Sequence, residues 1–173
     1  MEADFKTILS GKDLRSLGHN QKAIELVTDQ KSFDELLGLI FHHHDRSLVM
    51  RAADAVEKIT VKNQNYLRPH KRQLLHMLKI ADQKELKWHI AQLVSRVDLD
   101  KKERADVVQI LTHWARNKNE SKIVRVNSLQ GLFDVARDHP EWTESVSETV
   151  DLMQREKIPS ILARIRKLRK MTN

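Results

Sequence analysis

Apolar and polar positions alternate most clearly from Ser32 to Lys62, SFDELLGLIFHHHDRSLVMRAADAVEKITVK. Phe33, Leu36, Leu37, Ile40 and Phe41 recur at three and four, as do Val49, Ala52, Ala53, Val56 and Ile59. That spacing predicts two helices, each with one apolar face. Ser32 and Glu35 are spaced as a capping box for the first helix, and Asp45 can cap the second. The small residues Ala52, Ala53 and Ala55 would let a neighbouring helix approach closely. One such hairpin cannot bury both its faces, so it needs others on either side.

The pattern continues in both directions. Residues 1–31 predict a short helix over about Glu2–Leu9, ended by Ser10-Gly11, and another over about Asn20–Thr28, with the weak periodicity of a terminal cap. Beyond the turn at Asn63-Gln64-Asn65, Pro69 sits where a first helical turn tolerates proline, and Leu74, Leu75 and Leu78 follow, to Ile80. Asp82 or Gln83 opens the partner helix, with Leu86, Ile90, Leu93, Val94 and Val97. Asp100 and Glu103 form a second capping box ahead of Val107, Val108, Leu111, Trp114 and Ala115. A polar joint at Asn117–Glu120 leads to Val124, Leu129, Leu132, Phe133 and Ala136. His139-Pro140 then separates a helix carrying Trp142, Val146, Val150 and Met153, and Ile158-Pro159 precedes a last helix over about Ser160–Met171. The expectation is an all-α chain of roughly ten helices in about five antiparallel hairpins.

Composition agrees. A chain of 173 residues suits one domain, and that length buries about two thirds of its unfolded surface. Four Gly and three Pro leave little room for a turn-rich β fold. The absence of cysteine excludes disulfide and thiolate chemistry and fits a reducing compartment. The longest apolar run, about six residues around Leu39, falls well short of the ~20 that span a bilayer, and the acidic start MEADF is not a signal peptide. A cytoplasmic, or alternatively nuclear, protein is expected.

Three second helices align. MRAADAVEKI from Met50, WHIAQLVSRV from Trp88 and VRVNSLQGLF from Val124 superpose at offsets of 38 and 36. Arg51, His89 and Arg125 become equivalent, as do Ala55, Leu93 and Leu129, and Ile59, Val97 and Phe133. An apolar residue followed by Arg, then small residues and a terminal apolar residue, resembles the second helix of HEAT repeats, and Asp45 matches the Asp of their intra-repeat turn. His89, Gln83 and Asn119 depart from that pattern. The resemblance implies an α-α superhelix, a HEAT-like solenoid whose second helices line the concave side, and a family mostly of protein-binding scaffolds. Some members bind nucleic acid, and one branch consists of DNA glycosylases. The chain is accordingly expected to be a single HEAT-like repeat domain over 1–173. Residues 1–31 form an irregular cap, 32–138 the best repeats, and 139–173 a hairpin ending in a basic capping helix.

Charge narrows the candidates for function. The net charge is +7 and the pI about 9.7. Lys and Arg against Asp and Glu number 7 and 10 over residues 1–57, 6 and 0 over 58–81, 12 and 14 over 82–156, and 6 and 0 over 157–173. The first acid-free segment carries Lys58, Lys62, Arg68, Lys71, Arg72 and Lys79. The second carries Arg164, Arg166, Lys167 and Lys170 opposite Ile161, Leu162, Ile165 and Leu168, with Arg169 at the boundary. Each is a candidate for phosphate or acidic partners, or else a solvated face and a terminal cap. Membrane contact is expected at most peripherally, through the last helix.

Arg51, His89 and Arg125 are the candidate partner-binding residues along the second-helix face. Alternatively they form a ladder with Asp45, Gln83 and Asn119 that satisfies buried polar groups. The run His42-His43-His44-Asp45 carries metal-ligand types, but consecutive helical residues point about 100° apart and do not converge on one ion, which favours a helix end and turn. Trp88, Trp114 and Trp142 with Asp106 or Asp134 could imitate the cleft of the HEAT-like glycosylases, although all three Trp fall on apolar stripes. With no Gly-rich phosphate loop and no nucleophile and base set by spacing, a non-catalytic protein without cofactor is expected. Its partner is expected to be another protein, with nucleic acid as the alternative.

Overall fold

A computed structural model describes residues 4–10 and 17–172. Among them the regular structure is helical: α1 (Phe5–Leu9), α2 (Leu17–Leu26), α3 (Gln30–His42), α4 (Arg46–Lys62), α5 (Lys71–Ile80), α6 (Lys84–Leu93), α7 (Lys101–Arg116), α8 (Lys122–Asp138), α9 (Thr143–Arg155) and α10 (Pro159–Thr172). The expected helix start at Glu2 and the joint after Ser10 fall outside the described residues. No helix among those described is long and apolar enough to cross a membrane.

Residues 1–67 and 68–173 form two compact units. In the first, α4 packs on α3, α2 and α1, and α1 also touches α2 and α3. In the second, the first helices of successive hairpins stack as α5 on α7 and α7 on α9, and the second helices as α6 on α8 and α8 on α10. Two rows of helices result, with the core between and within them. All the excess positive charge belongs to the second unit, which carries 22 Lys and Arg against 14 Asp and Glu, whereas the first carries 9 against 10.

Helix starts show how local chemistry sets the boundaries. Asp100 and Glu103 form the expected capping box on α7, and Asp45 caps α4 by accepting the amides of Ser47 and Leu48. At α3 the box lies three residues earlier than expected: Asp29 is the cap, its carboxylate accepting the Ser32 amide at 2.8 Å, and Ser32 answers as the third helical residue. Pro69 sits in a 3-10 stretch, Gln64–His70, just ahead of α5 rather than inside it. Trp142 likewise falls in a 3-10 turn, Pro140–Trp142, before α9. Proline stands first in the second of these turns, where its fixed φ suits a helical start, and near the end of the first.

Helix α8 carries the second unit. It contacts α6, α7, α9 and α10, so even Asn127 and Ser128 are buried alongside Val124, Leu129, Leu132 and Val135. Burial on nearly all sides removes the single apolar stripe that a surface helix would show. Its closest approach is at Gly131, where a Cβ would lie 2.4 Å from the carbonyl oxygen of Ala91 in α6 and 2.9 Å from Leu111 Cδ1 in α7. Glycine is required there because no side chain fits between the two backbones.

Candidate functional site

Two sets of aligned positions in the repeat occupy matching depths. Ala55, Leu93 and Leu129 are fully buried. Arg51, His89 and Arg125 are 3%, 2% and 2% exposed, so they offer no surface track to a partner. Arg51 Nη1 donates to the Leu9 carbonyl at 2.5 Å. His89 lies against Trp88 with ring centroids 4.4 Å apart. Arg125 engages all three guanidinium nitrogens: Nε donates to the Ala115 carbonyl at 2.9 Å, and Nη1 and Nη2 reach the two oxygens of Glu156 at 2.9 and 2.6 Å. That bidentate pair holds the Glu156 carboxyl below the usual range, against the opposing effect of burial.

Arg125 takes a carboxylate of the following hairpin, Glu156, as its partner rather than Asn119. Asp45 serves its own helix, because the free amides of a first turn lie nearer than any neighbouring repeat. Gln83 caps α6 without a side-chain bond, and the Asn119 amide donates to Asn117 Oδ1. In the second unit four ion pairs run from a cation to a carboxylate 31 to 33 residues later: Lys71 to Glu103, Lys87 to Glu120, Arg116 to Glu148 and Arg125 to Glu156. This offset is about one helical turn shorter than the repeat. A search for opposite charges at that spacing, rather than for turn residues, would have found these pairs in the sequence.

The first basic segment is acid-free only along the chain. Lys71 meets Glu103 at 2.8 Å and Lys79 faces Asp106 at 3.5 Å, both acids coming from α7. The bond from Glu103, with the charges of Asp100 and Asp98 nearby, holds the Lys71 ammonium above its usual range. Lys58 pairs with Asp54 one turn back on α4, at 2.7 Å. Lys62, Arg68 and Arg72 are exposed. Lys58 and Lys62 belong to the first unit and the other four cations to the second.

Helix α10 is both cap and cation carrier. Ile161, Ile165 and Leu168 are buried. Arg164, half-buried, donates to Oε1 of the half-buried Gln130 at 2.9 Å and lies 3.5 Å from Oδ1 of the buried Asn127, crossing onto α8. Arg166, Lys167 and Lys170 are exposed. Beside them on α8, Asp134 accepts from Gln130 at 3.1 Å and pairs with Arg137 at 3.5 Å. Burial pushes its carboxyl above the usual range, against the hydrogen bond from Gln130 and the charges of Arg137 and Arg96.

Of the aromatic and acidic residues that could imitate a glycosylase cleft, Asp106 and Trp114 line one hollow of about 530 Å³ with Leu78, Lys79 and His113. Trp114 is buried, with Lys87 Nζ 5.4 Å from its ring centre, and Asp106 faces Lys79. Trp88 and Trp142 lie elsewhere, each half-buried, and Asp134 is on a different helix. At the histidine run, α3 ends at His42 and the chain turns, His43 Nδ1 accepting the Asp45 amide at 3.1 Å.

A second hollow, of about 560 Å³, opens between the end of α8, the start of α9 and the end of α10. Phe133, Ala136 and the exposed Met171 supply its apolar surface, over the buried Val146 and Val150, and Arg137 and Arg169 its charge. Phe133 is the repeat equivalent of Ile59 and Val97, both buried, yet it is only half-buried itself.

Stacked hairpins with a buried basic residue at one fixed place in each second helix are what a repeat family would produce. The family model of the HEAT repeat domain matches residues 5–171. The chain belongs to this family. HEAT repeats generally mediate protein–protein interactions and are typically non-catalytic. No curated protein and no solved structure matches this HEAT repeat chain.

Proposed function

We propose that this HEAT repeat protein is a non-catalytic scaffold that holds a partner protein on the second-helix row of residues 68–173. Family membership over residues 5–171 is the observation that carries the reading. The edge formed by Ile123 and Gln130 of α8, continued by Arg164 and Lys167 of α10, supports that choice of face, because Arg164 joins the two helices into one polar surface. Arg51, His89 and Arg125 underlie the rows as supports rather than contacts. The test is capture of partners from nuclease-treated extract of the native host, using wild type, Ile123→Glu and Lys167→Glu. A partner retained by wild type and lost by both variants is expected. Recovery that is indifferent to both variants refutes the face, and recovery only without nuclease refutes the protein partner.

A second reading is nucleic-acid binding, favoured by the three exposed cations Arg166, Lys167 and Lys170, with Arg68 and Arg72 as further candidates. Phosphate binding by such residues releases counterions, so affinity for a short duplex should fall steeply with salt and fall again, for every sequence alike, in Lys167→Glu/Lys170→Glu. No anisotropy change with a labelled duplex at low salt and micromolar protein rules this reading out.

A further inference from the structure

We propose that the hollow between α8, α9 and α10 receives an apolar side chain of an acidic amphipathic helix belonging to a partner protein. Three observations support it. First, the size, about 560 Å³, lies within the range of pockets that bury small ligands and side chains, about 300–1,000 Å³. Secondly, its apolar surface includes Phe133, which stands at the position where the two preceding repeats bury Ile59 and Val97. That repeat position is built for cover, and here it has only part of it. Thirdly, the charged residues of the lining are both cations, Arg137 and Arg169, and the exposed Arg166 and Lys170 lie on the same helix as Arg169.

Charge decides the occupant. An apolar floor with a cationic rim complements a helix carrying leucine-like residues at three and four and carboxylates beside them. Arg137 already pairs with Asp138 at 3.0 Å and Asp134 at 3.5 Å, but its side chain remains 54% exposed. With two carboxylates already on Arg137, an incoming carboxylate is met chiefly by Arg169. Arg169 donates to Gln154 Oε1 at 3.2 Å, and its side chain is exposed. A nucleic acid would use the cations and leave Phe133 and Met171 unused.

The inference rests on the scaffold reading and adds the chemistry of the partner. The probe is a capped synthetic helix with leucines at three and four and glutamates elsewhere, with two controls, leucines replaced by serine and glutamates replaced by lysine. Binding to the full chain is read by anisotropy and by amide shift mapping. The proposal expects binding of the first peptide only, with shifts gathered at residues 133–150 and 169–171. Ser147→Trp, from an exposed position lining the hollow, should abolish binding without touching the core. Arg169→Glu should weaken it by about tenfold. Binding unchanged by Ser147→Trp overturns the proposal, as does equal binding of the serine peptide, and so does self-association of the chain that Ser147→Trp abolishes. If no peptide binds while nuclease-resistant capture still depends on Ile123 and Lys167, the proposal falls and the scaffold reading stands.

Discussion

Adding one methyl group at Gly38 and at Gly131 should move stability in opposite directions. Both glycines lie inside helices, where alanine is intrinsically favoured by about 1 kcal/mol. At Gly38 in α3 a Cβ would meet nothing within 4 Å, so Gly38→Ala should stabilise by about 0.5–1 kcal/mol. At Gly131 the new carbon would lie 2.4 Å from the Ala91 carbonyl oxygen, about 1 Å inside ordinary contact. Leu111 can rotate away, but Ala91 O is part of the α6 backbone, so α6 and α8 must separate. Such overpacking costs about 1–3 kcal/mol, and a gap of that width forfeits dispersion along the rest of the seam. The net expectation for Gly131→Ala is destabilisation by about 1–2 kcal/mol after the gain in propensity. Trp88, Trp114 and Trp142 all belong to residues 68–173, so their fluorescence during urea unfolding reports the unit that contains Gly131, while far-UV circular dichroism reports both. An unchanged or raised fluorescence midpoint for Gly131→Ala would show that the close approach of α6 and α8 is not a constraint.

Arg125→Met should destabilise by about 3–5 kcal/mol, since it strands Glu156, whose side chain is only 14% exposed; adding Glu156→Leu should recover much of the loss, and urea midpoints of the four proteins measure it. Because Arg125 lowers the folded-state pKa of Glu156 below the ordinary 4.5, its contribution is present above that value and lost as pH falls through the folded one. The gap in stability between wild type and Glu156→Gln should therefore close in acid, and a gap that widens there would contradict the pairing. Asp134 is the converse case: burial raises its folded pKa above 3.8, so the cost accrues as pH rises, and Asp134→Asn should stabilise at pH 7 but not in strong acid. Lys157, at the end of α9, has φ 54°, a left-handed conformation that favours glycine, so Lys157→Gly should raise the thermal midpoint, corresponding to about 1 kcal/mol.

Local signals in the sequence located the helices because caps and apolar spacing are local facts. Asp45 and the Asp100–Glu103 box predict starts that the fold keeps. The start of α3 differs because Asp29 caps the amide of Ser32 itself, which makes Ser32 the third helical residue instead of the cap. Trp142 shows the limit of periodicity: its spacing fits a helix, but Pro140 sets a 3-10 turn first. The acid-free character of residues 58–81 could not survive folding, since Glu103 and Asp106 arrive from a helix 27 to 32 residues away. Pairing across repeats is invisible to any local count. Alignment makes Arg125 equivalent to Arg51 and His89, yet its partner Glu156 lies outside the aligned helices. The half-covered Phe133 could not be read at all, because its equivalence to Ile59 and Val97 argues for burial and only the packing of α9 and α10 shows otherwise.

One side chain joins three helices in this arrangement. Arg125 stands on α8, reaches the last turn of α7 through the Ala115 carbonyl, and grips the end of α9 through Glu156. The hairpin of α9 and α10 therefore cannot peel away from the rest of its unit without first breaking that grip. The amides of α9 and α10 should exchange with solvent as one block, and that block should open sooner as the Glu156 carboxylate takes up a proton. The same opening would dismantle the hollow and carry off the exposed cations of α10, so any partner seated on this end also acts as a clasp on the last hairpin.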